Sequence, residues 1–205
     1  GLLLNPLAGI GGAVGLKGSD GIELQALAKQ RSGTPQAAKR TQVFLQQLNT
    51  LLGSQSEQIQ WFTWAEEMGA AALALAGLDA QVLGRSEGPS SGHDSQVAAS
   101  TLSAEGIDLL IFAGGDGTAR DVLLGVNAQT TVLGLPSGVK MHSGVFAISP
   151  AAAAEVVAAL AVLIMLNVFL AEIHRPIFLA QNTAHITADN MTITSNLYLV
   201  MMNDF

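Results

Sequence analysis

The 205-residue sequence has no cysteine, which removes disulfides, thiolate metal sites and cysteine nucleophiles together. It is also poor in charge: charged residues make up 12%, nine of them basic, and the formal net charge is −7. The nine cations are scattered, so no electrostatic footprint for nucleic acid is present and no such partner is expected. Two phosphate-binding fingerprints are missing as well. Gly9 and Gly11 begin a dinucleotide pattern, but its third glycine would stand at position 14, where the residue is Val14. No Walker A lysine followed by serine or threonine occurs. No cleavable signal pattern precedes the first motif, and with no cysteine this fits a cytoplasmic location. Gly1 leads straight into Leu2-Leu3-Leu4 without an initiator methionine, so residues are expected to precede it.

What the chain has is apolar residues, 49% of the total, enough for one large domain or one domain plus part of another. The stretch Ile107 to Val126 organises it. Ile107 to Phe112 is a branched apolar run, as expected of a central parallel strand covered on both faces. Gly114-Gly115-Asp116-Gly117 follows, and Thr118 and Asp121 then stand at capping-box spacing, which predicts a helix starting there. Glycines let the backbone approach a ligand closely, and a helix N-terminus favours anions. Such a turn can cradle phosphates. A carboxylate inside it makes chemical sense if Asp116 holds a metal ion, binds a hydroxyl or takes a proton from one. The alternative is an ordinary glycine-rich turn with a solubilising aspartate.

Two further turns belong with it if their strands are parallel. Pro6 to Gly12 follows the Leu2–Leu4 strand, and Lys17 and Asp20 lie in its polar continuation. Pro136-Ser137-Gly138 follows a strand over Thr130 to Leu135 and adds a third wall, with Lys140 and His142 just beyond. Lysine there suits phosphate oxygens; His142 is either a site residue or a hydrogen-bonded core histidine. Arg120 is either a phosphate contact or a surface helix residue.

Helices are predicted over Ile22 to Arg31, from a Thr34 cap with Pro35 at the first position to Leu52, over Glu66 to Gly77, and from His93-Asp94 to Glu105. Val43, Phe44, Leu48, Leu51 and Leu52 form the expected core face of the second. Strands are predicted at Ile59 to Trp64 and Ala80 to Leu83, with Trp61, Phe62 and Trp64 as packing residues. Gly84-Arg85-Ser86-Glu87-Gly88 has the form of a nucleophile elbow but runs into Pro89-Ser90-Ser91-Gly92, so it is a loop. Asp94 is expected to cap the helix that it begins.

Four blocks in order carry a resemblance: Asn5 to Gly12, Val14 to Gly21, Gly114 to Val122 containing the GGDGT pentapeptide, and Pro136 to Ala147. GGDGT resembles the signature of the superfamily of NAD kinases, diacylglycerol and sphingosine kinases and 6-phosphofructokinases. All four together resemble the ATP-NAD kinase family, in the branch that includes the acetoin-catabolism X protein. The resemblance implies a kinase using ATP with Mg²⁺ and phosphorylating the adenosine ribose 2′-hydroxyl of NAD to give NADP. It implies phosphate binding by Asn5, Gly9, Gly11, Gly12, Gly114, Gly115, Gly117, Thr118 and Lys140, with Lys17, Asp20, Arg120, Gly138 and His142 as further candidates. Asp116 would be the catalytic residue and a ligand of Mg²⁺. Family members are commonly homo-oligomers, which the high apolar content also suits. A lipid or another small alcohol as acceptor, or a nucleotide-binding regulator without turnover, are the alternatives.

The expected organisation is an α/β Rossmann-like parallel-sheet domain over 1–148, then the start of a β-rich second domain over 149–205. The two are joined by an apolar segment, 151–171. Its charge-free part, Val156 to Ala171, is 16 residues, short of a bilayer span, and a buried helix is expected. Alternation around Asp189-Asn190 predicts a hairpin, followed by a strand over Leu197 to Met202.

Overall fold

A computed structural model describes residues 1–15, 26–28, 30–139 and 141–185. Five strands form one parallel sheet: β1 (Leu2–Leu4), β2 (Trp61–Thr63), β3 (Ala80–Val82), β4 (Leu110–Gly114) and β5 (Val132–Pro136), in the order β3-β2-β1-β4-β5. Every pair is parallel, with Leu3 beside Phe112 and Phe112 beside Gly134. The α/β Rossmann-like expectation holds. The strand order reverses between β1 and β4, and the turns leaving those strands emerge side by side at the sheet's C-terminal edge.

The helices are α1 (Ala37–Leu52), α2 (Ala70–Leu75), α3 (Gly92–Ala104), α4 (Asp116–Gly125) and α5 (Pro150–His185). Strand alternation sends Leu3, Leu110 and Phe112 into a cluster with Ala98, Ala99 and Leu102 of α3 and Val122 of α4. Leu2, Leu4, Ile111 and Ala113 alternate to the other face and are equally buried. Central strands covered on both faces explain their continuous apolar reading.

Several expectations shift. The central strand starts at Leu110, three residues later than Ile107, because the chain is still turning at Gly106, whose φ is +70°. Helix α1 begins at Ala37 rather than Pro35, with Gln36 as its N-cap; the Gln36 amide donates to Ala8 O (2.8 Å). Its buried face uses Phe44, Leu45, Leu48 and Leu52, while Val43 and Leu51 are 45% and 46% exposed. The helix expected over Glu66 to Gly77 is a 3₁₀ turn, Glu66–Met68, and then α2, broken by Gly69 at φ +152°. Ser91, not Asp94, is the N-cap of α3; Asp94 completes a capping box by accepting from the Ser91 amide (2.8 Å). Trp61 and Trp64 are buried as packing residues, and Ser86 lies in a loop beside Met68 and the Trp64 indole.

The chain divides into two compact units, Gly1–Ala159 and Leu160–Phe205, and the whole sheet lies in the first. Helix α5 covers the apolar segment 151–171 and runs on to His185. Ala153, Ala154, Val157 and Ala158 are buried, but Leu163, Leu166, Val168 and Phe169 are exposed. The expectation of a buried helix is therefore corrected beyond Ala158. Over Pro150–Leu170, with Glu155 as its one charge, the helix is long and apolar enough to cross a membrane, and most of that stretch is not buried. Residues 172–185, assigned above to a β-rich domain, are helical, and the hairpin and strand expected from Ile186 onward lie outside the described residues.

Candidate functional site

Three turns meet at the C-terminal edge of the sheet. The first leaves β1 at Asn5, whose side chain is used twice: Oδ1 accepts from the Leu7 amide (3.0 Å) and Nδ2 donates to Thr118 Oγ1 (2.9 Å). The Asn5 amide also donates to Ala113 O (2.9 Å). Asn5 thus shapes its own turn and fastens it to α4. Gly9, at φ +81°, carries the chain on towards the third turn; a Cβ there would stand 2.4 Å from Ser137 O and 2.8 Å from Gln36 Cβ. Only glycine fits that approach. Gly11 is buried and Gly12 exposed.

The second turn is GGDGT. Gly115 is the N-cap of α4, without a side-chain cap bond, and the helix starts at Asp116. The capping box expected of Thr118 and Asp121 does not form. Thr118 lies within the first turn, buried, with its hydroxyl on Asn5, while Asp121 accepts from Gln96 Nε2 (3.1 Å). A Cβ on Gly114 would come within 2.4 Å of Thr118 Cβ, so that glycine makes room for the threonine. Gly117 follows in the same first turn, where helix amides lack intrahelical partners and favour an anion.

Asp116 is the first residue of α4. Both its carboxylate oxygens accept from the His142 amide (3.1 and 3.0 Å), and Oδ1 also accepts from the Ser143 amide (3.2 Å). The His142 amide first, then that of Ser143, holds the carboxyl below its ordinary range. Asp116 is therefore ionised, able to orient a hydroxyl and take up its proton as the O–P bond forms, or to meet a cation. Among the described residues no three metal-ligating side chains cluster. One carboxylate still fits Mg²⁺, which commonly takes one or two protein carboxylates and fills its shell with water and phosphate oxygens.

The third turn leaves β5 at Pro136. The Ser137 and Gly138 amides both donate to Gly114 O (2.9 and 3.0 Å), tying it to the second turn. Further on, the Gly134 amide donates to Val145 O and the Ala147 amide to Gly134 O, so the chain returns to the sheet beside β5. Phe146 then meets Phe112 edge-on, with ring centres 5.5 Å apart.

A cavity of about 300 Å³ lies between the first and third turns, lined by Gly9, Gly12, Gln36, Arg40, Ser137, Gly138 and Val139. The structure thus brings Gly9, Gly12 and Gly138 to one cavity and ties Asn5 to Thr118 and Asp116 to the loop after Gly138. Gly114, Gly115 and Gly117 do not line that cavity. Arg120 and His142 are exposed, and among the described residues no hydrogen bond involves either side chain; exposure rules out the core histidine of one reading. Lys17, Asp20 and Lys140 lie outside the described residues. Sequence reasoning missed Arg40 and Gln36. Their spacing of four, one helical turn, places them on one side of the start of α1, but nothing in the sequence links that side to the turns.

A parallel sheet with order reversal between β1 and β4, and small-residue turns at the reversal, defines a Rossmann-like nucleotide-binding domain. The family model of the ATP-NAD kinase N-terminal domain matches residues 2–162, and the chain belongs to that family. It is accordingly a kinase domain of the NAD-kinase type, a phosphotransferase that uses ATP. No curated protein and no solved structure matches the chain significantly.

Proposed function

We propose that the protein transfers the γ-phosphoryl group of ATP to the 2′-hydroxyl of the adenosine ribose of NAD, giving NADP and ADP. The observation that carries this reading is Asp116, an ionised carboxylate at the first position of a helix, inside the second of three turns at one sheet edge. Phosphoryl transfer depends mainly on positioning and charge neutralisation, and the site is built of backbone amides and one anion rather than of nucleophiles. Gly9, Gly11, Gly12, Gly114, Gly115, Gly117 and Lys140 would bind phosphate oxygens, with Gly138 beside them. Asn5 and Thr118, bonded to each other, would fix the first turn against the second.

Asp116 accepts a hydrogen bond from the acceptor hydroxyl and aims its oxygen at phosphorus. As the new O–P bond forms, the bond to the ADP oxygen breaks, and the hydroxyl proton passes to Asp116 and then to water. Mg²⁺, held by Asp116 and the phosphates, would supply neutralisation of charge on the transferring group. The setting is cytoplasmic and the assembly a homo-oligomer.

Incubation with ATP, Mg²⁺ and NAD should yield NADP, and Asp116→Asn should lower turnover by roughly 10²- to 10⁴-fold with nucleotide affinity little changed. Preserved turnover in the variant would remove the assigned role. A second reading, a lipid as acceptor, draws on the exposed Leu163, Leu166, Val168 and Phe169 of α5. Co-sedimentation with phospholipid vesicles, together with phosphorylation of a lipid alcohol and no NADP, would favour it.

A further inference from the structure

Among the described residues, Arg40 is the charged wall of the cavity between the first and third turns. Its Nη1 donates to Pro136 O (2.5 Å), joining the first turn of α1 to the end of β5. That bond uses one of five guanidinium N–H groups. Among the described residues no carboxylate pairs with Arg40, although acidic residues outnumber basic ones sixteen to nine. Among the described residues, the rest of the cavity lining, three glycines with Gln36, Ser137 and Val139, brings no negative charge. Arg40 is half-buried, and among the described residues Pro136 O is the partner of its guanidinium.

We propose that Arg40 is a substrate-binding residue that takes a phosphate group of a bound nucleotide within this cavity. The inference rests on the nucleotide-binding reading above but not on NAD as acceptor. The Pro136 bond fixes one edge of the planar guanidinium, and its remaining N–H groups form the fork that matches two phosphate oxygens. Gly9 and Gly138 leave the cavity walls without side chains, so a phosphate chain meets backbone there. Both ATP and NAD carry such a chain. The purely structural alternative is that Arg40 only clamps α1 to the third turn through Pro136 O.

Binding of inorganic tripolyphosphate, ATP, NAD and adenosine to the full chain, measured calorimetrically for the unmodified protein and for Arg40→Gln, separates these. The expected result is a loss of about 10- to 100-fold for tripolyphosphate and for the nucleotide whose phosphates occupy the cavity, with adenosine binding unchanged. A loss for ATP but not NAD assigns the cavity to the donor; a loss for NAD but not ATP assigns it to the acceptor. Equal loss for adenosine and ATP, unchanged phosphate binding, or no tripolyphosphate binding by the unmodified protein would overturn the proposal. If Arg40→Gln does not fold, Arg40→Lys decides: it keeps the charge and loses the fork, and should weaken tripolyphosphate binding several-fold, whereas unchanged binding overturns the assignment. NADP formation at unchanged KM for both nucleotides in Arg40→Gln would defeat the proposal and leave the kinase reading intact. Arg40-dependent phosphate binding without NADP formation would do the reverse.

Discussion

Gly9→Ala tests whether the first turn rests against the third. At φ +81° an alanine sits in the left-handed region, which costs an L-residue about 1–2 kcal/mol. Its Cβ would also stand 2.4 Å from Ser137 O and 2.8 and 2.9 Å from Gln36 Cβ and Cγ, far inside van der Waals contact. Overpacking of that kind typically costs about 1–3 kcal/mol, giving about 2–5 kcal/mol in all. Gly77→Ala supplies the control, because Gly77 has φ +70° and nothing within 4 Å of its Cβ position, so only the conformational cost applies. Urea unfolding followed by circular dichroism should place the midpoint of Gly9→Ala below that of Gly77→Ala by about 0.5–1.5 M, for a slope near 2 kcal/mol/M. Coincident midpoints would refute the packing of the two turns and, with it, the cavity between them.

Phe112→Ala, at a fully buried position of β4, should cost about 3–5 kcal/mol in the same unfolding experiment, and a loss below about 1 kcal/mol would show that the sheet core is misplaced. Ser91→Ala should cost about 1 kcal/mol by removing the cap of α3. The Ser91 hydroxyl, as the largest cause, lowers the Asp94 carboxyl, so this bond's contribution is present above the unfolded carboxyl value and lost as pH falls through the lowered folded one. The difference between Ser91→Ala and the parent should accordingly shrink only in acid. The lowered Asp116 carboxyl works in the same sense: its hold on the His142 and Ser143 amides should persist as pH falls to the ordinary carboxylate value and fail below it. An NMR titration of those two amides should show a midpoint below 3.8; a midpoint at or above it contradicts the arrangement.

All five strands were legible as short, mostly apolar runs, and their parallel direction followed from requiring the turns at one edge, whereas the order β3-β2-β1-β4-β5 was not read from the sequence. Local signals failed where tertiary bonds decided the outcome. Thr118 has the spacing of a cap, yet its hydroxyl is taken by Asn5, more than a hundred residues earlier, and Gly115 becomes the N-cap instead. Thr34-Pro35 has the form of a helix start, but the N-cap is Gln36, whose amide bonds to Ala8 O. Leu45 replaces Val43 and Leu51 in the core because the buried side of α1 is chosen by the sheet, not by the helix alone. Asp116 could be singled out from its glycine neighbours, whereas its partners are backbone amides of His142 and Ser143, which leave no trace in side-chain identity. Arg40 was invisible for a related reason: the carbonyl it meets belongs to Pro136, at the far end of another strand.

The most direct test of the account is a map of backbone amide shifts on titrating ATP with Mg²⁺ into the isotopically labelled protein. The account predicts the largest changes at Gly9, Gly12, Gly115, Gly117 and Gly138, the three turns at the C-terminal edge of the sheet. Changes confined to the opposite edge, around the cleft lined by Glu57, Gln58, Asp79 and Gln81, would contradict it.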